Sequence, residues 1–418
     1  MNAFTVVFLV MLLVSVALLV WLARRQLAGA LGQRDAVPKI FCARIALADH
    51  QKSADYTAAR MGLEQVDVLA SALLTLIWTL GGGLNLLARL WANSTWGPIT
   101  TGTGLIMTTL LITSVLEMPL DVYRTFGIEA RFGFNRAKPA LYVADALKQG
   151  LIFMALGAPL IALLLWLVSH AGRAWWLYGW LVWTTFSMAM LWLYPTLIAP
   201  LFNRFSPLEN EHLRARIVQL LQRCGFANGG IFVMDGSRRS GHGNAYFTGF
   251  GANKRIVFFD TLLKSLDADE IEAVLAHELG HFKRGHVHQR FAVMAVASAG
   301  GFALLGYLAS ADWFYLGLGV QQSSYAAAFL LFLIVMPYFT TPLRPIFSYW
   351  MRRHEFEADD FAAEQTDARH LIRALVKLYE ANASILCPDR LYSAFHDTHP
   401  PAPVRIAHLT AKVSIPAP

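Results

Sequence analysis

Seven long apolar runs limit what this chain can fold into. They cover residues 3–23, 69–88, 96–116, 149–169, 174–203, 291–311 and 326–343. Each is long enough to cross roughly 30 Å of hydrocarbon as a helix. Within a bilayer the backbone must satisfy its own hydrogen bonds, so runs of this kind fold as helices. The fold class expected is a polytopic α-helical membrane protein. Composition agrees, with 56% hydrophobic and only 15% charged residues, against about 25% charged in soluble domains.

The first run is not built like a cleaved signal peptide. No basic residue precedes it, it is longer than an ordinary signal core, and Arg24 and Arg25 follow at once. It reads as an uncleaved anchor with its N-terminus outside. The loops support that orientation. Arg24, Arg25, Arg34, Lys39, Arg44, Lys52 and Arg60 follow the first run, and Arg124, Arg131, Arg136, Lys138 and Lys148 follow the third. The connections on the other side carry few basic residues, Arg89 and Arg173, and Trp91, Trp96, Trp175, Trp176 and Trp313 border them. Basic residues gather in cytosolic loops and tryptophans at the interface, so the C-terminus is expected in the cytosol.

The same rule accounts for the net charge of +7. No finger or RNA-binding motif accompanies it, so no nucleic-acid partner is expected. Cys42, Cys224 and Cys387 form no CxxC pair, which excludes a disulfide framework and a thiolate zinc site.

Two polar stretches fall on the cytosolic side. The expected organisation is 1–204 for spans one to five, 205–290 for the first part of a catalytic domain, 291–347 for spans six and seven, and 348–418 for its second part. In the first part, "GGIFVMD" (229–235) and "KRIVFFD" (254–260) read as strands, and "SGHGNAYFTGFG" between them as loop, short strand and turn. Asp267 is a helix N-cap with Glu270 completing a capping box.

The helix that starts there carries "AVLAHELGHFKRGH" (273–286). His277 and His281 lie one turn apart on one face, so both imidazoles can reach one ion, while Glu278 points about 100° away. This is the HExxH arrangement, in which zinc acidifies a water and the glutamate takes its proton. A helix with surface histidines and no metal is the plainer alternative. The third ligand is not supplied by the extended pattern HExxHxxGxxH, because Arg284 and Val287 occupy the required positions. On this helix His286 lies on the opposite face and cannot join, and His288 lies about 10 Å up the axis from His281, too far to share an ion. The best source is "RRHEFEADDFAAEQ" (352–365). Glu355 can ligate while Asp359, one turn on, accepts the free N–H of a ligand histidine. Glu357 competes from the opposite face, where Phe361 holds its i+4 position. A solvated acidic helix face is again the plainer reading.

HELGH, two spans, then EFEAD, within seven spans, resembles the type I CAAX prenyl proteases, which are integral-membrane zinc metalloproteases. "FGIEARFGFNR" (126–136), "IAPLFNRFSPL" (198–208), "NAYFTGF" (244–250), "RIVFFDTLL" (255–263) and "THPP" (398–401) look like family segments in family order. The resemblance implies one zinc ion per chain on His277, His281 and Glu355, with Glu278 as general base and Asp359 behind a ligand histidine. It implies that Asn244, Ala245, Tyr246 and Phe247 form an edge strand that pairs with the substrate backbone. His399 and Arg405, in "THPPAPVR", fall near the family's active site, His399 as an oxyanion or substrate contact and Arg405 as a substrate contact. The implied architecture is seven helices enclosing a water-filled chamber, closed by a zincin-like α/β metalloprotease domain on the cytosolic side. Asn85 and Glu117, inside spans, suit a wet interior or helix–helix hydrogen bonds equally.

The implied substrate is a peptide or protein, C-terminally prenylated or membrane-associated. The compact length and the lack of a retrieval signal suggest a bacterial inner-membrane relative, where quality control of membrane proteins without prenyl selectivity is the competing activity. A transporter or scaffold with a vestigial site is the third reading, and the intact His277, Glu278, His281 and Glu355 speak against it.

Overall fold

The structure, a computed structural model, describes residues 2–226, 230–248 and 255–413. Of the segments quoted above, Gly229, Gly249, Phe250, Gly251 and Lys254 lie outside the described residues. Among the described residues, seven helices are long and apolar enough to cross a membrane, at Ala3–Gly32, Leu47–Trp78, Pro98–Glu129, Pro139–His170, Gly172–Phe202, His286–Leu308 and Tyr325–Gln365. Their number matches the seven apolar runs. The second span does not sit where hydropathy put it. Its helix begins at Leu47, in charged sequence, and stops at Trp78. Beyond its C-cap Thr79, Gly82, at φ 79°, begins a short separate helix, Gly83–Ala92. An apolar window tracks oil solubility, whereas the break between the two helices includes a turn that needs glycine's access to positive φ.

At one end the spans close on an apolar core that includes Phe8, Trp78, Leu105, Trp175, Phe314 and Leu330. Asn85 belongs to this end. Its Nδ2 donates to the Gly319 carbonyl and its Oδ1 accepts from the Gln321 N–H, so it serves helix and loop packing. Towards mid-span the packing ends. Phe291–Ala297 and Leu111–Met118 are exposed or half-exposed at every position, hence on every helix face. A span accessible all round meets lipid on one side and open space on the other, which is how seven helices come to enclose a chamber.

The other end carries the polar domain. Its sheet has four strands in the order β1-β2-β4-β3, where β1 is Phe205–Pro207, β2 Ile231–Met234, β3 Ala245–Thr248 and β4 Arg255–Phe259. β2 and β4 are parallel, with Ile231 opposite Ile256. β1 and β3 run antiparallel to their neighbours and form the edges. Three residues ending in proline gave β1 no sequence signal; proline is tolerated there because an edge strand need not donate on both sides. Ile217, Leu220, Phe258, Leu275, Leu279 and Leu371 belong to the core beneath the sheet.

Two helices of this domain matter most. Ala268–Lys283 carries HELGH and is capped by Asp267 and Glu270 as a full capping box. Arg344–Gln365 carries EFEAD and continues the seventh span through the short turn Thr341–Leu343. They cross at Gly280, where an added Cβ would meet the Ala358 Cα at 3.0 Å and the Phe361 Cβ at 3.1 Å. The glycine of HELGH lets the helices approach closely enough to share one site.

Candidate active site

That crossing brings three donors together. His277 Nε2 lies 3.4 Å from Glu355 Oε2, and His281 Nε2 lies 3.3 Å from Glu355 Oε1. One ligand atom from each residue falls within 4.8 Å of the others. Tetrahedral bonds of about 2.1 Å to N and O donors place those donors roughly 3.4 Å apart, so the spacing fits zinc. Glu355 is 1% exposed, and its Oε2 has no hydrogen-bond partner among the described residues. A buried carboxylate oxygen left in that state is costly unless a cation meets it. The electrostatics of His277 make the same point. Burial and Arg405 oppose charge on it, but Asp359 and Glu355 outweigh them and lift its pKa to about 9. The surroundings demand a positive charge at this point.

Each histidine has a partner behind it. His277 Nδ1 is 2.9 Å from Asp359 Oδ1. Asp359 is held in turn by Arg405, with Nε 2.9 Å from Oδ2 and Nη2 2.5 Å from Oδ1. Arg405, expected to touch substrate, is 8% exposed, and its Nε and Nη2 face Asp359 from inside the domain. His281 Nδ1 lies 2.9 Å from His286 Nδ1. The straight-helix expectation for His286 fails because the HELGH helix ends at Lys283 and Gly285, at φ 72°, starts a new one. That turn folds His286 back beside His281. Arg290, one turn further, was missed as well: its Nη2 is 3.8 Å from Glu355 Oε1. No spacing rule pointed to it.

The Glu278 side chain makes no hydrogen bond to a described residue, which leaves its carboxylate for water. Burial pushes its pKa above the usual carboxylate range, with His277 opposing and Glu355 adding. His399 is exposed at the mouth, its Nε2 3.5 Å from Glu355 Oε2. A cavity of about 780 Å3 opens there, lined among others by Arg60, His242, Asn244, Tyr392 and His396.

β3 is the edge strand nearest this cavity, but Asn244 is not on it. It precedes the strand, and its carbonyl accepts from the Phe259 N–H of β4. In an antiparallel pair hydrogen-bonded residues alternate with outward-facing ones. With Ala245 opposite Phe258, the backbone groups of Ala245 and Phe247 therefore face the free edge. Asn244 uses its side chain instead, Oδ1 accepting from the Ala245 N–H at 2.9 Å. Phe247 packs its ring edge-on against Phe282 at 4.4 Å, while Tyr246 meets Phe259.

Comparison with known proteins finds matches along most of the chain. Residues 26–204 match the CAAX prenyl protease N-terminal family of five membrane helices, and residues 207–413 match peptidase family M48. The chain is 38% identical to a CAAX prenyl protease 1 homolog of Arabidopsis thaliana, over 70% of this chain and 69% of the relative. It is 31% identical to one of Dictyostelium discoideum, over 91% and 90%, and 32% identical to CAAX prenyl protease 1 of Saccharomyces cerevisiae, over 71% and 69%. The crystal structure of S. mikatae Ste24p aligns with a TM-score of 0.88 at 26% identity, covering 98% of this chain and 99% of that one.

Proposed function

The chain belongs to peptidase family M48, with the CAAX prenyl protease 1 homologues, and is a membrane-embedded zinc metalloendopeptidase; from that premise we propose the roles of its residues, its substrate and its orientation. His277, His281 and Glu355 hold the zinc. The observation that carries this reading is the convergence of their three donors from helices separated by two membrane spans. Bound there, zinc supplies a Lewis acid that polarises a peptide carbonyl and acidifies water.

The remaining steps fall to side chains and backbone. Glu278, unpaired beside His277, takes the proton of the attacking water and returns it to the leaving amine. The outward-facing Ala245 carbonyl and the N–H and carbonyl of Phe247 hold the peptide extended along β3, so that one carbonyl faces the site. Asn244 fixes the start of that strand by holding the Ala245 N–H. His399, at the mouth, donates to the oxygen that gains charge in the transition state. Asp359 and Arg405 hold His277 in its tautomer.

The substrate is a C-terminally prenylated peptide, or another peptide anchored in the bilayer. The position of the site supports this. The sixth span begins at His286, only five residues after His281, and the seventh runs without a break into the helix of Glu355. A scissile bond reaching this centre lies close to the membrane, as a bond next to a lipid anchor does. The loop charges support an orientation with the N-terminus outside and the site on the cytosolic side. A farnesylated CAAX peptide and its unprenylated twin, assayed on the purified enzyme, test the substrate. Faster cleavage of the farnesylated peptide is expected. Equal cleavage would favour quality control without prenyl selectivity.

A further inference from the structure

His286 is fully buried, and nothing in the reaction above uses it. Its ring lies flat on His354, with centroids 4.0 Å apart and 7° between planes. Trp350 packs edge-on against His354, at 4.6 Å. The ring is therefore fixed in place, and both its nitrogens have partners. Nδ1 faces His281 Nδ1 at 2.9 Å, and Nε2 faces Glu357 Oε2 at 3.0 Å.

These contacts allow one consistent assignment of hydrogens. His281 turns Nε2 towards Glu355, so that nitrogen must carry a lone pair to bind a metal, and the hydrogen sits on Nδ1. His281 Nδ1–H then donates to His286 Nδ1. His286 carries its own hydrogen on Nε2 and donates it to the Glu357 carboxylate. An imidazole with one nitrogen accepting and the other donating suits this place; an aliphatic side chain can do neither.

We infer that His286 is a positioning residue, which fixes the tautomer and ring angle of the ligand His281 and is itself oriented by Glu357. It does for His281 what Asp359 does for His277, through a neutral ring instead of a carboxylate. Glu357, set aside as a ligand because it lies on the far face of its helix, reaches the metal site through this ring. Second partners of this kind commonly change metal affinity by about 10–100-fold when removed. The inference rests on His281 being a ligand, and the zinc content of the wild-type protein tests that separately.

The experiment uses the full chain in detergent and two variants. His286→Phe keeps a flat ring against His354 but removes both nitrogens. His286→Asn gives up the ring but returns an acceptor near the position of Nδ1. Zinc affinity is read by competition with a chelator, and the thermal midpoint of the metal-free protein is read alongside. His286→Phe is expected to bind zinc about 10–100-fold more weakly, with the metal-free midpoint unchanged, and His286→Asn to recover most of that loss. Wild-type affinity in His286→Phe would overturn the inference. So would His286→Asn binding as weakly as His286→Phe, because packing alone would then explain the residue. A wild-type protein without zinc would instead overturn the assignment of ligands.

Discussion

His277 and His281 sit one turn apart on one helix, yet the two sides of the site are held by different means. On the His277 side the partner is a carboxylate, Asp359, fully buried and gripped by a buried Arg405 from the C-terminal helix Ala402–Val413. Every group there belongs to the polar domain. On the His281 side the partner is a neutral ring, the first residue of the sixth span. Behind it stands Glu357, 37% exposed and shared with Arg353 at 3.2 Å. The first side is a closed charge network, so loss of one member leaves a buried ion uncompensated. The second is softer electrostatically and is joined to a membrane helix through the turn at Gly285. On this reading one side carries fold stability together with metal binding, and the other adjusts a ligand with little consequence for the fold.

The variant with the largest effect touches neither side. Glu278→Gln keeps shape and hydrogen bonding but cannot accept a proton. Turnover should fall by ~10²–10⁴, while zinc content and thermal midpoint stay at wild-type values. Asp359→Asn then probes the stiff side. It leaves Arg405 without its counter-charge, so zinc affinity should drop by about 10–100-fold, and stability by about 3–5 kcal/mol, as for a broken buried ion pair. Chelator competition and thermal unfolding in detergent read the two losses; a stable Asp359→Asn protein would erase the contrast between the sides. Gly280→Ala disturbs both sides equally by forcing the crossing helices apart, and should cost about 1–3 kcal/mol, as overpacking does. The smallest effect belongs to Glu357→Gln. The amide still accepts from His286, and a half-exposed pair is worth about 0–1 kcal/mol, so the thermal midpoint should scarcely move.

Much of this was legible in the sequence, because it depends on local spacing. Seven apolar runs gave seven spans. HELGH placed two histidines on one helix face, and the spacing of Glu355 and Asp359 placed two carboxylates on another. What was illegible depends on how distant parts meet. The start of the second span at Leu47 lies in charged sequence that only the folded domain explains. Asn244 stands next to the free edge because its pairing with Phe259 fixes which residues of β3 face outward. Arg405 has a visible role only once its helix packs against Asp359. His286 was misread for a simpler reason. The straight helix was extended through Gly285, and the one residue able to adopt φ 72° without strain ends it there.

The central claim is that Glu355 completes a zinc site begun by HELGH. Its most direct test is the metal content of Glu355→Gln beside the wild type, both purified without added zinc. About one zinc per wild-type chain, and a marked loss in Glu355→Gln that added zinc partly restores, is the predicted result. Full zinc in Glu355→Gln would contradict the account and send the search for the third ligand elsewhere in the fold.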